Sequence, residues 1–395
     1  MKKVIKKLAS LLMVTVFVIT GTTFQMLAGA LSESVINGKQ KLYISYYPYS
    51  YNFSGSGLGT SIYGQFVKIN VGSANGEYAY CMDAEADSGI TGTSIFTAED
   101  FNLSDWVKRN YTSNQIKLMK YAAIYTIKNA SETKYGYSNE VENIASQIIN
   151  WTILHNWFNT SSESSVLNVY TANMPSSVAS NVKACYNKIK EQILSHKTIP
   201  SFAVGEGQTP TPKKMTTNAD GTFSITLTDN KNCSSYFDWA KAISKYSYLS
   251  IIKNTNGTLT IKSTQPIAYA SRKTLTAKKT KSKYQNELDT ASPVALIVDE
   301  SQLSRQNAVG YTNTDKDPVT ASISLYTDTT GTAQIKKVWQ HNNDSSSTRA
   351  DNSDIYFTIK NSSGSAVKAT GKAGSYTYST SGSVSQFKLN SSNTF

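Results

Sequence analysis

The side chains most able to do chemistry are three thiols, one amide and one lysine. Cys81, Cys185 and Cys233 are the only cysteines. An ionised thiol is a strong nucleophile, and an odd number leaves at least one without a disulfide partner in the same chain. Gln147 sits where Ile144, Trp151, Leu154 and Phe158 share its helical face. An amide on an otherwise apolar face is either hydrogen-bonded or chemically altered, because burying it unpaired costs free energy. Lys337 lies between Ile335 and Trp339 on one face of an alternating stretch. A lysine there either reaches solvent or has lost its charge.

The thiols differ in setting. Cys185 has Val182, Ile189 and Ile193 at helical spacing, so it reads as a small buried hydrophobe. Cys233 stands in a polar turn and signals nothing. Cys81 ends an aromatic-rich alternating strand in Tyr80-Cys81-Met82-Asp83. A cysteine hydrolase would pair it with a histidine, and the choices are His155, His196 and His341. His155 lies one turn beyond Trp151, with Asn156 beside it. The histidines are too few and too scattered for a metal site, so no metal or cofactor is expected.

These groups need elements to position them. Short strands are predicted over 41–47, 65–71 and 77–81, from alternating residues bounded by glycine-rich turns. Helices are predicted over 114–127, 139–158 and 176–195, with Asn114 and Asn139 as caps and Glu142 completing a capping box. Pro200 closes the helical region. Alternation returns at 222–228, 258–262, 294–298 and 319–326, and a further unit starts near 333.

The chain has 395 residues, 25 of them tyrosine, and only 17% are charged, which suits several extracellular, strand-rich domains and not disorder. Lys2, Lys3, Lys6 and Lys7, then an apolar run over 8–17 and small residues at 28–30, form the three-part pattern of a secretory signal peptide spanning 1–30. That run is too short for a bilayer span, so no permanent transmembrane segment is expected. The formal charge of +12 includes those four lysines and a cluster from Arg272 to Lys283, which reads as a solvated loop. Without interleaved aromatics it does not suggest nucleic acid.

Tyr80-Cys81, followed by Gln147 and then Trp151 four residues on, resembles the Cys–Gln thioester domain of Gram-positive surface proteins. Where that family's helix motif has Thr and Ala, this chain has Ser146 and Ile149. Gln306, in the stretch 305–310, resembles the family's third glutamine motif, and 317–325 its closing strand. The resemblance covers roughly residues 40–325. It implies that Cys81 and Gln147 form an internal thioester, supported by Gln306, with Trp151 helping to exclude water. A lysine amine of a host or other extracellular protein would then take the acyl group. The reaction is single-use acyl transfer and not enzymatic turnover.

The stretch 335–339 and Arg349 resemble the start of a Cna B-type module, a small β-sandwich in which Lys337 would be the isopeptide lysine. Its closing strands would lie beyond Phe395. The expected architecture is therefore multidomain. A mixed α/β thioester domain with a helical portion occupies 31–200. A β-rich region over 201–330 either completes it or forms a second module. A partial prealbumin-like β-sandwich occupies 331–395. The expected protein is secreted, monomeric in this region, and attached to the cell wall through an anchor outside this chain. A non-reactive structural or pilus-like module with buried Cys81 is the alternative, and a secreted cysteine hydrolase the second.

Overall fold

The computed structural model describes residues 39–56, 58, 63–73, 75–82, 94–298, 307–312, 318–327 and, beyond these, 355–360, 366, 368–370, 377–379 and 386–389. The signal-peptide stretch, Gln306, Lys337 and His341 lie outside them. The chain divides into two compact units, up to Asp328 and from Thr329 onward.

The first unit is a mixed α/β fold with two β-sheets and a helical layer. Strands β1 (Lys39–Asn52), β2 (Tyr63–Val71), β3 (Glu77–Cys81) and β4 (Ser94–Asp100) join β10 (Ser292–Val298) and β11 (Ala308–Thr312) in a closed barrel of order β1-β2-β3-β11-β10-β4. Every barrel pairing is antiparallel. β1 is longer than its alternating core suggests. Its register with β2 shifts between Tyr46 and Ser50, and Pro48, which has no N–H to give a ladder, falls inside that bulge.

Between β4 and β10 the chain forms five helices: α1 (Asp105–Asn110), α2 (Ser113–Tyr125), α3 (Asn139–Leu154), α4 (Glu163–Thr171) and α5 (Ser176–Leu194). It then builds β5 (Pro212–Thr217), β6 (Phe223–Thr228), α6 (Trp239–Ile243), β7 (Leu249–Asn254), β8 (Thr258–Ser263) and β9 (Lys273–Lys278). With β12 (Thr320–Thr327) these strands make a second sheet, of order β7-β8-β6-β5-β12-β9. Two hydrophobic cores result. One joins the barrel to α1–α5 and includes Ala291, Val294 to Leu296, Ala308, Val309 and Tyr311, and the other lies under the second sheet. The region 201–330 thus divides, with β10 and β11 closing the barrel while β5 to β9 and β12 make their own sheet.

α3 is buried on all sides from Val141 to Leu154, as suits a helix at the centre of a core. Its cap is Ser138, one residue before the predicted Asn139. The Ser138 Oγ accepts the Val141 N–H. The helix stops four residues early because Asn156 takes the left-handed conformation, φ 57°. The N–H groups of Trp157 and Phe158 then return to the Thr152 carbonyl. α2 likewise begins at Thr112, not Asn114. Thr112 and Gln115 form a reciprocal capping box.

The basic cluster over 272–283 is not the solvated loop expected. Lys273–Lys278 is strand β9, paired with β12, and Lys279 is buried. Alternation along β9 sends Leu275 and Ala277 into the core while the lysines flank it. Among the described residues no helix is long and apolar enough to cross a membrane.

In the second unit, β13 (Ile355–Phe357) pairs with β16 (Phe387–Leu389), and β14 (Lys368–Thr370) pairs with β15 (Thr377–Ser379). The rings of Phe357 and Phe387 lie 5.8 Å apart across the first pair.

Candidate functional site

β3 ends on Cys81 and the middle turn of α3 carries Gln147. The two residues are 66 positions apart in the chain. The fold brings them into direct contact. The Cys81 N–H donates to Gln147 Oε1 at 2.9 Å, and Gln147 Nε2 donates to the Cys81 carbonyl at 3.0 Å. The cysteine is 3% exposed and the glutamine 1%. The amide is hydrogen-bonded through both its oxygen and its nitrogen. Both partners belong to the backbone of one residue, so the amide is held like a rung against the strand end.

Several contacts hold that strand end still. Cys81 pairs with Ala308 of β11, and the Met82 N–H donates to the Asn307 carbonyl at 2.9 Å. The Tyr80 hydroxyl donates to the Ile127 carbonyl at 2.6 Å, and the Tyr78 hydroxyl to Asn139 Oδ1 at 2.5 Å. On β11, the Tyr311 hydroxyl donates to Asn150 Oδ1 and receives the Thr126 hydroxyl. Asn150 Nδ2 donates to the Ser146 carbonyl, one residue before Gln147. Both strands beside Cys81 are therefore tied to the helices by tyrosine hydroxyls. Desolvation pushes the Tyr311 hydroxyl up to about 12, so it stays a neutral donor.

Trp151 stands one turn after Gln147 and is 1% exposed. Its ring stacks on Tyr170 at 5.2 Å and 20°, meets Tyr51 edge-on at 5.2 Å and lies against Phe66 at 5.6 Å. This aromatic block fills the core one turn beyond the amide.

Glu142, predicted to close a capping box on α3, does something else. It is fully buried, and its carboxylate accepts the N–H groups of Lys134 (2.7 Å), Tyr135 (2.8 Å) and Tyr137 (3.1 Å). Gly136 in the middle of that loop has φ +80°, a conformation that L side chains rarely adopt. The loop thus wraps the carboxylate and fixes the start of α3.

At the other end of β3 lies a charged cluster. Lys128 donates to Asp289 at 2.7 Å, and Lys134 also binds Asp289. Burial lowers Lys128 to about 8, while the two lysines hold Asp289 down at about 2 against its own desolvation. Glu77 faces Glu132, Lys128 and Asn129. Desolvation, with the Glu132 charge next, raises it to about 7, and its Oε2 is buried without a hydrogen-bond partner. A carboxyl raised in the folded state binds more protons folded than unfolded between its two pKa values. Its contribution is therefore full below 4.5 and fades as pH rises to about 7. Glu77→Gln should flatten the fall in thermal midpoint across that window, read by circular dichroism against the wild type. Equal slopes in both proteins would remove Glu77 as the cause.

Cys185 is 0% exposed in α5. Burial, and then the Glu142 charge, raise its thiol far above the usual range, as for a small hydrophobe. Cys233 is also buried, and no disulfide joins any of the three. His155 caps α3 and stacks on Trp157, while His196 Nδ1 meets the Tyr125 hydroxyl at 3.0 Å. Sequence reasoning overlooked Tyr311 and Asn150. Asn150 had a signal, being, with Thr152, a polar residue in a helix otherwise apolar from 148 to 154. Tyr311 had none, because only the closed barrel brings it near. Comparison with family models, curated proteins and solved structures finds no match for this chain.

Proposed function

We propose that Cys81 and Gln147 form an internal thioester and that the chain belongs to a secreted surface adhesin which uses it to bond covalently to an amine. The observation that carries this reading is the Gln147 amide held by both backbone groups of Cys81 in a site closed to water. In the forming step the Cys81 sulfur attacks Gln147 Cδ. The thiol proton passes to the leaving Nε2, ammonia departs, and an S–Cδ bond replaces the C–N bond. The Cys81 N–H already points at Oε1, the atom on which negative charge gathers in the tetrahedral intermediate. Fixed proximity takes the place of an activating enzyme. A lysine amine of a host or extracellular protein then attacks Cδ, the C–S bond breaks, and the Cys81 thiol is regained beside a new amide. The resemblance to thioester domains supports this reading, as it supports a Cna B-type sandwich for 331–395.

A second reading has its own observation. Each polar atom of the amide has a partner, and neither residue is exposed. On contacts alone, an inert clamp between β3 and α3 accounts for the pair without any reaction. The chain would then be a structural surface or pilus-like module with buried Cys81.

Intact mass decides between them. In the thioester reading, the purified wild type is lighter than its sequence by one ammonia, methylamine adds to Gln147, and Cys81→Ala shows neither effect. A mass equal to the sequence, unchanged by methylamine, leaves the clamp.

A further inference from the structure

A cleft of about 370 Å³ opens where the end of α5 meets the loop after β6 and the segment after β9. Its size is at the lower end of small-molecule sites. Two polar groups on its walls are conspicuous. Gln192 is 2% exposed and Ser282 is 7% exposed, yet Gln192 Nε2 and Ser282 Oγ have no hydrogen-bond partner. Buried polar atoms are nearly always satisfied, so two orphans on residues that line one cleft call for an occupant.

The charges around them give its chemistry. Lys231, Lys279, Lys283 and Glu191 line the cleft. Glu191 is engaged, since Lys283 binds both its oxygens, at 2.7 and 3.1 Å, and the Tyr284 hydroxyl adds a third contact. Lys231 and Lys279 remain as cations without a carboxylate partner on these walls. Lys279 Nζ donates to the Ser195 and His196 carbonyls at 3.1 and 2.8 Å. That covers the negative end of α5 and leaves the third N–H of the ammonium for a ligand. Burial pulls Lys279 down to about 8. The loop bearing Lys231 is preset, because Asp229 accepts the N–H groups of Ser201, Lys231 and Cys233.

We propose that this cleft binds a small oxyanion-bearing molecule, a carboxylate or a phosphate, on Lys279, Gln192 and Ser282, with Lys231 at its mouth. Gln192 Nε2, the Ser282 hydroxyl and the lysines all donate, which suits an acceptor-only ligand. Cys233 also lines the cleft, but burial and the Asp229 charge push its thiol up to about 12. The ligand is therefore held without a covalent bond.

The test is titration of the full chain with inorganic phosphate and, separately, citrate, following the Gln192 side-chain amide by NMR. At least one probe should give a saturable shift, and which one does separates the phosphate source from the carboxylate source. Ser282→Ala should weaken binding about ten- to a hundredfold, the effect of losing one hydrogen bond to a charged group. Lys231 is exposed, so Lys231→Ala keeps the fold and should weaken binding severalfold even if the Ser282 variant does not fold. The proposal is overturned if neither probe saturates. It is equally overturned if both variants bind as the wild type does, or if a neutral sugar shifts the amide where both anions fail.

Discussion

Trp151→Ala should destabilise the first unit by about 3–5 kcal/mol, seen as a lower urea midpoint with little change in slope. The indole packs against Tyr170, Tyr51 and Phe66 at once, so its removal leaves a cavity among rigid rings that cannot collapse to fill it. Trp151→Phe keeps part of the stack and should cost less, about 1–3 kcal/mol. The milder variant is also the better probe of function. If the thioester forms, a smaller ring admits water to the acyl carbon. The Trp151→Phe chain should then gain the mass of water and lose the ammonia deficit faster than the wild type. If the pair is only a clamp, its mass equals its sequence from the start. A wild-type urea midpoint in Trp151→Ala would show that the aromatic block does not hold α3 in place.

Glu142→Ala should cost about as much, roughly 3–5 kcal/mol, for a different reason. One carboxylate satisfies three backbone N–H groups in the loop before α3. Alanine strands all three donors. Glu142→Gln separates acceptor from charge. Gln retains one carbonyl oxygen, enough for the Tyr135 and Tyr137 donors that share Oε1. The Lys134 N–H would instead face an amide NH2. Its loss should fall between wild type and alanine in thermal unfolding. If Gln and Ala lose equal stability, the negative charge and not the acceptor count is what matters.

Local pattern made much of the site legible. The 3.6-residue period placed α3 and put Gln147 on its buried face, and alternation ended a strand at Cys81. The errors lie where side chains compete for backbone groups. Asn139 looked like a cap, but Ser138 takes the Val141 N–H while Asn139 Nδ2 serves the Asn129 and Glu132 carbonyls. Glu142 three residues after a cap looked like a capping box, yet the preceding loop offered it three donors. Helices α1 and α4 escaped notice because six and nine residues carry too little periodicity to stand out. The basic stretch at 272–283 misled because charge frequency was read without the alternation that buries Leu275 and Ala277. No window of sequence could reveal that β10 and β11 close the barrel. That pairing rests on register between strands about two hundred residues apart.

The closure also sets an order of events in biosynthesis. A chain emerging from the ribosome delivers Cys81 first and Gln147 soon after, but the strand that covers the far edge of β3 arrives more than two hundred residues after Cys81. Until Ala308 is out, the backbone beside Cys81 has an open edge and the tyrosine tether from β11 to α3 does not exist. The Cys81–Gln147 contact therefore matures late, once nearly all of the first unit is outside. Until β11 is made, Cys81 lacks its strand partner, and a product cut short before residue 308 never gains it.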